Sequence, residues 1–256
     1  MGSGMYHFFV EPEQIQDKNI IITGEDVNHI KNVIRLKPGD EISISNGIDG
    51  RDYRCGIESI TDTEVLCTLR FIKEDAIELP AKVYLFQGLP KGDKMEFIIQ
   101  KMVELGVYEI VPVAMQRCVV KLDAKKAKSK ISRWQGISES AAKQSKRAII
   151  PKIHEVMTYK EALAYASEMN QRIVPYEMAD SLDDATGMQG TKKIIESIKP
   201  GETVAIFIGP EGGFEESEIE TAIAQGMMPV TLGKRILRTE TAGMTAMAWI
   251  MYQLEA

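Results

Sequence analysis

The chain has 256 residues, 44% hydrophobic and 27% charged, with a net charge of −6. That balance excludes a disordered, collagenous or low-complexity protein, and no run of 18 apolar residues exists to cross a membrane. Three scattered histidines, and three cysteines that form no CxxC pair, argue against a structural zinc site or a disulfide scaffold, so a soluble, cytoplasmic, metal-free protein is expected.

Met1-Gly2-Ser3-Gly4 has no apolar stretch and reads as a remnant of expression ahead of Met5. Residues 5–75 then read as short strands at 8–10, 20–22, 41–45, 53–57 and 65–69, each apolar or alternating. Turn residues separate them at Lys37-Pro38-Gly39-Asp40, Asn46-Gly47 and Asp49-Gly50. One helix is predicted at 25–35, with Val27, Ile30, Val33 and Ile34 on one face. So many strands in so short a block predict a small β-barrel. A linker is placed near 72–80, dividing the chain into 5–75 and 76–256.

From residue 80 the pattern becomes strand–helix alternation. A strand at 82–86 precedes a helix that Asp93 caps, with Glu96 as capping-box partner, and Gly106 stops it. Further strands are expected at 109–113, 148–154, 172–176, 203–208 and 228–231. The helices between them include a basic one after Ser129 burying Ile131, Trp134, Ile137 and Ala141, and one opened by Thr158 and Glu161. The last spans about 240–254, with Thr239 or Thr241 as its N-cap. Such alternation implies an α/β unit with a mostly parallel sheet covered on both faces.

Charge is unevenly spread. Residues 117–152 hold 11 Lys/Arg against 2 Asp/Glu, while 1–75 nets −6 and 153–256 nets −8. A concentrated basic stretch in an acidic chain points to a polyanion such as nucleic acid, and a solvated helix face is the plainer alternative.

Ligands of parallel sheets sit beyond the carboxyl ends of the strands. The apolar strand 203–208 runs there into Gly209-Pro210-Glu211-Gly212-Gly213-Phe214, followed by Glu215, Glu216, Glu218 and Glu220. Without Gly-Lys-Ser/Thr or GxGxxG, and with this many carboxylates, the loop is a poor phosphate site and suits a neutral or cationic ligand. A second segment, Leu232-Gly233-Lys234-Arg235-Ile236-Leu237-Arg238-Thr239-Glu240-Thr241-Ala242-Gly243, crowds positive charge ahead of the last helix.

These two segments resemble the signature motifs of the RsmE family, SPOUT-superfamily methyltransferases acting on N3 of a uridine in bacterial 16S rRNA. The resemblance extends through Tyr6-His7-Phe8-Phe9-Val10, His29 to Leu36, Gln100 to Val107 and Gln144-Ser145-Lys146-Arg147, and so over nearly the whole chain. His7 departs from it, since arginine is usual at that place in the family.

The resemblance implies a PUA-like RNA-binding barrel at 5–75 and, at 76–256, a SPOUT α/β domain with a trefoil knot. It also implies a homodimer, S-adenosylmethionine (SAM) as methyl donor, and as substrate the small ribosomal subunit at the uridine conventionally numbered 1498. Carried over by motif, Gly209, Pro210, Glu211, Gly212 and Gly213 form one wall of the SAM site. Leu232, Gly233, Ile236, Leu237, Arg238 and Thr241 form the other, and Tyr176 and Glu177 complete it. In catalysis Arg238 is expected to donate to the uracil, with Glu240 orienting it or acting as base. Arg117, Lys121, Lys143 and Arg147 are expected to hold rRNA phosphates, Arg35 to steer the RNA, and Lys94 and Lys101 to face it. A methyltransferase acting on another RNA atom, such as a ribose 2′-hydroxyl, and a non-catalytic RNA-binding assembly factor are the alternatives.

Overall fold

The computed structural model describes residues 5–73, 77–176 and 187–256. They divide into two units: the described residues of Met1–Glu78 with Ala142–Ile150, and Leu79–Ala141 with Pro151–Ala256. The return of Ala142–Ile150 to the first unit has no signature in composition.

The first unit is built on six strands: β1 (His7–Phe9), β2 (Ile15–Gln16), β3 (Asn19–Thr23), β4 (Glu41–Ser45), β5 (Asp52–Ile60) and β6 (Glu64–Lys73). Their order is β1-β4-β5-β6-β3-β2, with β1–β4 parallel and the remaining pairs antiparallel. Inward residues of alternate strands, among them Ile20, Ile22, Ile42, Ile44, Val65 and Cys67, form one core with Phe8, Val27 and Ile30. The predicted helix at 25–35 is only briefly α-helical, α1 (Glu25–Asn28), before widening into a π-helix over His29–Ile34. The wider turn shifts the apolar stripe, so Ile30 is fully buried while Val33 is 62% exposed. Arg35, in the left-handed region at φ 61°, ends it.

Ala142–Ile150 joins this unit through a polar knot. Arg147 is 3% exposed, and its Nε and Nη2 donate to the Glu78 carboxylate, which also accepts the backbone N–H groups of Ala148 (3.0 Å) and Ile149 (3.2 Å). Ile150 N–H donates to the Gly47 carbonyl at 3.0 Å. The strand expected over 148–154 is accordingly reduced to β9 (Lys152–Ile153).

The second unit holds a seven-stranded sheet, parallel at every pairing. Its strands are β7 (Lys82–Gly88), β8 (Glu109–Ala114), β9, β10 (Met157–Thr158), β11 (Gln171–Pro175), β12 (Thr203–Ile208) and β13 (Met228–Val230). The order is β10-β8-β7-β12-β11-β13, with β9 beside β8. Central β12 is buried from Val204 to Ile208, as expected of a strand covered on both faces.

The helices are α2 (Lys94–Glu104), α3 (Ala124–Ser145), α4 (Tyr159–Ala166), α5 (Met188–Ser197), α6 (Glu216–Ala224) and α7 (Thr239–Glu255). The Thr158–Glu161 capping box forms as read from sequence. The Asp93–Glu96 box does not: Asp93 turns its carbonyl, not its side chain, to the Glu96 and Phe97 N–H groups, and Glu96 pairs instead with Arg133 at 2.8 Å. Helix α3 starts five residues before the expected Ser129 because the Asp123 carboxylate accepts the Lys126 N–H at 2.8 Å. It buries Trp134 and Ala141, with Ile131 and Ile137 half-buried. Helix α7 is capped by Arg238 without a side-chain bond, and Thr239 and Thr241, expected as its cap, are instead the first and third residues of the helix itself. It crosses the sheet at Gly243, where a Cβ would lie 3.6 Å from Ile208 and Leu85 and 3.8 Å from the Met102 sulfur.

Candidate functional site

The carboxyl ends of β7 and β12 lie side by side, with Gln87 in register with Ile208. The loop leaving β12 folds tightly over β7: a Cβ on Gly88 would lie 2.7 Å from both the nitrogen and Cδ of Pro210, so any side chain there displaces the loop. The Gly213 N–H donates to the Pro210 carbonyl at 2.9 Å and closes the turn.

The second segment is tied to this loop by a buried relay. The Thr239 hydroxyl donates to the Gly209 carbonyl at 2.6 Å and accepts from Gln87 Nε2 at 2.9 Å. One hydroxyl thus joins strand β7, the first loop and the start of α7, which explains why Thr239 is not the cap. Gln87 is fully buried, and its Oε1 has no hydrogen-bond partner among the described residues. Neither residue was singled out for this role in the sequence. The signal present was a glutamine inside the otherwise apolar Val83 to Gly88.

Charges of the loop are largely spoken for. Glu211 accepts from Lys94 Nζ at 2.9 Å and from the Lys91 N–H at 3.0 Å. Burial acts to raise its pKa, but these donors outweigh it and hold the carboxyl below the usual range. Glu215 pairs with Arg117 at 2.9 Å, which lowers its pKa. Glu218 is buried and accepts the N–H groups of Gln116 and Glu215, each at 2.9 Å. The sequence argument that free acids select a cation is therefore corrected: Glu211, Glu215 and Glu218 are satisfied within the protein. Arg117, expected on RNA, donates to the Gly212 carbonyl and Glu215 and acts as a brace for the loop.

Around the second segment the arrangement is open. Gly233 adopts φ +103°, a conformation that favours glycine, and its Cα faces open space. Ile236 is 79% exposed, Leu232 and Leu237 are half-buried, and Thr241 is exposed. Tyr176 donates its N–H to the Val230 carbonyl at 3.0 Å, which places it at the end of β11. Glu177 lies outside the described residues. Arg238 is exposed, and its guanidinium has no hydrogen bond or ion pair among the described residues. Glu240 does not orient it, contrary to one sequence expectation, because Glu240 Oε2 faces Lys94 at 3.7 Å.

The family of RNA methyltransferase domains matches residues 77–251, and the RNA methyltransferase PUA domain matches residues 22–70. The ribosomal RNA small subunit methyltransferase E of Bacillus subtilis strain 168 is 39% identical over 98% of both chains. The protein of the same name from Synechocystis is 30% identical over 98% of this chain and 78% of its own. This chain belongs to that family. A crystal structure of the Neisseria gonorrhoeae member bound to S-adenosyl methionine superposes with a TM-score of 0.79 at 31% identity, covering 97% of each chain. A Legionella pneumophila methyltransferase in complex with SAM gives 0.78 at 28% identity, again over 97% of each.

SAM fits the residues present. A bare backbone at Gly233 and the uncovered Ile236, with Leu232 and Leu237 half-buried nearby in the chain, suit a ligand with an apolar purine. Among the described residues no helix is long and apolar enough to cross a membrane, and no group of three His, Cys, Asp or Glu could hold a metal ion.

Of the residues expected on RNA, Arg35 and Lys121 are exposed, Lys143 pairs with Asp26 at 3.6 Å, and Lys101 pairs with Glu104 at 2.7 Å as its spacing suggested. Arg147 is corrected from phosphate ligand to buried partner of Glu78. Lys125 and Lys128 on α3 are exposed without an ion pair among the described residues.

His7, the departure from the family pattern, carries no charge at neutral pH. Burial pushes its pKa down to about 4, with Asp52 pulling weakly the other way. Its Nδ1 bonds the Ser43 hydroxyl at 2.8 Å, which in turn donates to Asp52. Since the folded pKa lies below the ordinary 6.5, this contribution to stability is present above 6.5 and is lost as pH falls toward 4. Urea unfolding across that window should show stability falling with acid by up to about 1.4 kcal/mol per pH unit, and His7→Gln should remove that part of the slope. An unchanged slope would contradict the assignment.

Proposed function

We propose that this chain transfers the methyl group of SAM to N3 of a uridine in the 16S rRNA of the small ribosomal subunit. It acts in the cytoplasm as a homodimer, its residues 76–256 carrying the trefoil knot of SPOUT enzymes and its residues 5–75 the RNA-binding module. The observation that carries the reading is the Gln87–Thr239–Gly209 relay, which brings both family motifs to one place at the carboxyl ends of β7 and β12. Relatives whose names specify small-subunit rRNA support the substrate. The apolar helix α7, with Tyr252 74% exposed and Phe97 of α2 46% exposed, supports association with a second copy.

When bound, SAM supplies an electrophilic methyl group on a sulfonium. The backbone of Gly209 to Gly213 and of Leu232, Gly233 and Thr241 would hold it, with Ile236, Leu237 and Tyr176 supplying apolar and aromatic surface for the purine. Arg238, exposed and without an ion pair among the described residues, donates to a uracil carbonyl as negative charge develops on the ring, and Glu240 accepts the N3 proton. Holding both reactants in line contributes the larger part of the rate, on the order of 7–11 kcal/mol. Lys121, Lys125 and Lys128 hold phosphates, which positions the RNA without reading the base.

The test is transfer of labelled methyl from SAM to small subunits lacking the modification. One methyl per particle is expected, with particle binding weakened steeply by salt and SAM binding little affected. No transfer despite SAM binding would refute the reading, and equal salt sensitivity of the two ligands would refute the division between cofactor loop and phosphate-holding lysines.

A further inference from the structure

Helix α2 delivers one cation into the gap between the two motifs. Lys94, its first residue, places Nζ 2.9 Å from Glu211 in the first loop and 3.7 Å from Glu240 at the start of α7. The side chains of Lys94, Glu211 and Glu240 are 33%, 25% and 17% exposed, so the cluster is less screened than a surface pair. Among the described residues Glu240 Oε2 is buried without a hydrogen bond, and Lys94 is its counter-charge. The positive charge of Arg238 is felt at Lys94 and opposes its protonation, while Glu211 more than compensates.

We propose that Lys94 is a positioning residue of the methyl-transfer site: by bridging Glu211 and Glu240 it locks the cofactor loop to the start of α7 and keeps Glu240 off Arg238. This rests on the methyl-transfer reading above. Without Lys94, Glu240 is left with Arg238, two residues back, as the cation to pair with, and the pairing would consume the donor needed by the uracil. The loop would at the same time lose the cation that anchors Glu211, leaving the backbone N–H groups of Lys91 and of Glu211 itself. An ammonium shared by two carboxylates also has little charge to offer a phosphate, so this role replaces the RNA contact expected from the sequence.

The two roles predict opposite kinetics. With full-length protein and unmodified small subunits, Lys94→Met should lower kcat at least about tenfold, leaving the KM for the particle and the salt slope of binding as in the wild type. Lys94→Arg, which retains the charge and can span both carboxylates, should recover most of kcat. A phosphate contact would instead leave kcat intact, raise KM and reduce the salt slope by about one, and that result would overturn the proposal. So would an arginine variant as slow as the methionine variant, since loss of charge would then not be the cause. Wild-type protein that transfers no methyl in the same assay would sink the reaction reading and this inference together, whereas normal turnover by Lys94→Met sinks this inference alone.

Discussion

Replacing Arg238 by alanine should lower turnover by about 10²–10³, the usual loss when one donor to a developing anion is removed, while SAM affinity stays within about twofold. The expectation follows from where the residue stands. Its backbone caps α7, with the carbonyl accepting the Thr241 and Ala242 N–H groups at 2.9 Å each, and alanine preserves both bonds. Its guanidinium is exposed and engages no acid among the described residues, so truncation leaves no buried charge behind and should not unfold the site. Lysine at 238 should recover only part of the rate, because a point charge lacks the planar pair of donors. Single-turnover kinetics with saturating SAM, alongside a calorimetric SAM titration, separate the two effects. Full turnover in the alanine variant with unchanged SAM binding would remove Arg238 from the chemistry.

The second large effect is on stability. Arg147→Met should destabilise the first unit by about 3–5 kcal/mol, the cost of stripping one partner from a buried ion pair. Among the described residues Glu78 would keep the Ala148 and Ile149 N–H groups, too little for a carboxylate that is itself 16% exposed. Replacing both partners by apolar residues should cost much less than the single change, since no orphan charge remains. Denaturant unfolding followed by a probe in the first unit reads this directly. A variant of unchanged stability whose RNA binding shows a weaker salt dependence would restore Arg147 to the phosphate contacts.

Much of the second unit was legible because its strands are short apolar runs between amphipathic helices. The span of β12 was read to the residue, and the Thr158–Glu161 box and the stop at Gly106 follow from local chemistry. Elements decided by a long-range partner were not legible. Asp93 and Glu96 have box spacing, but Arg133 claims Glu96 and the box does not form. The helix at 25–35 has an α-like stripe, yet packing against the β1–β6 core selects the π-turn that leaves Val33 outside. The candidate site shows the same division. Its two motifs could be read from glycine and charge spacing, and the resemblance named their ligand. What joins them could not be read, because Gln87 and Thr239 are 152 residues apart and meet only when β7 and β12 pair. Charge arithmetic overstated the acidity of the loop for a related reason: the cations that neutralise Glu211 and Glu215 arrive from α2 and from Arg117.

The most direct test of the central claim is the position of the transferred methyl group. After incubation with methyl-labelled SAM and unmodified small subunits, the 16S rRNA is digested to nucleosides and the labelled one identified by mass spectrometry against synthetic standards. The account predicts N3-methyluridine from a single site, abolished by heat-denaturing the protein and reduced in proportion to turnover by Arg238→Ala. Label on a ribose 2′-hydroxyl or on a carbon of the base would contradict it, since neither places an imide nitrogen between Arg238 and Glu240.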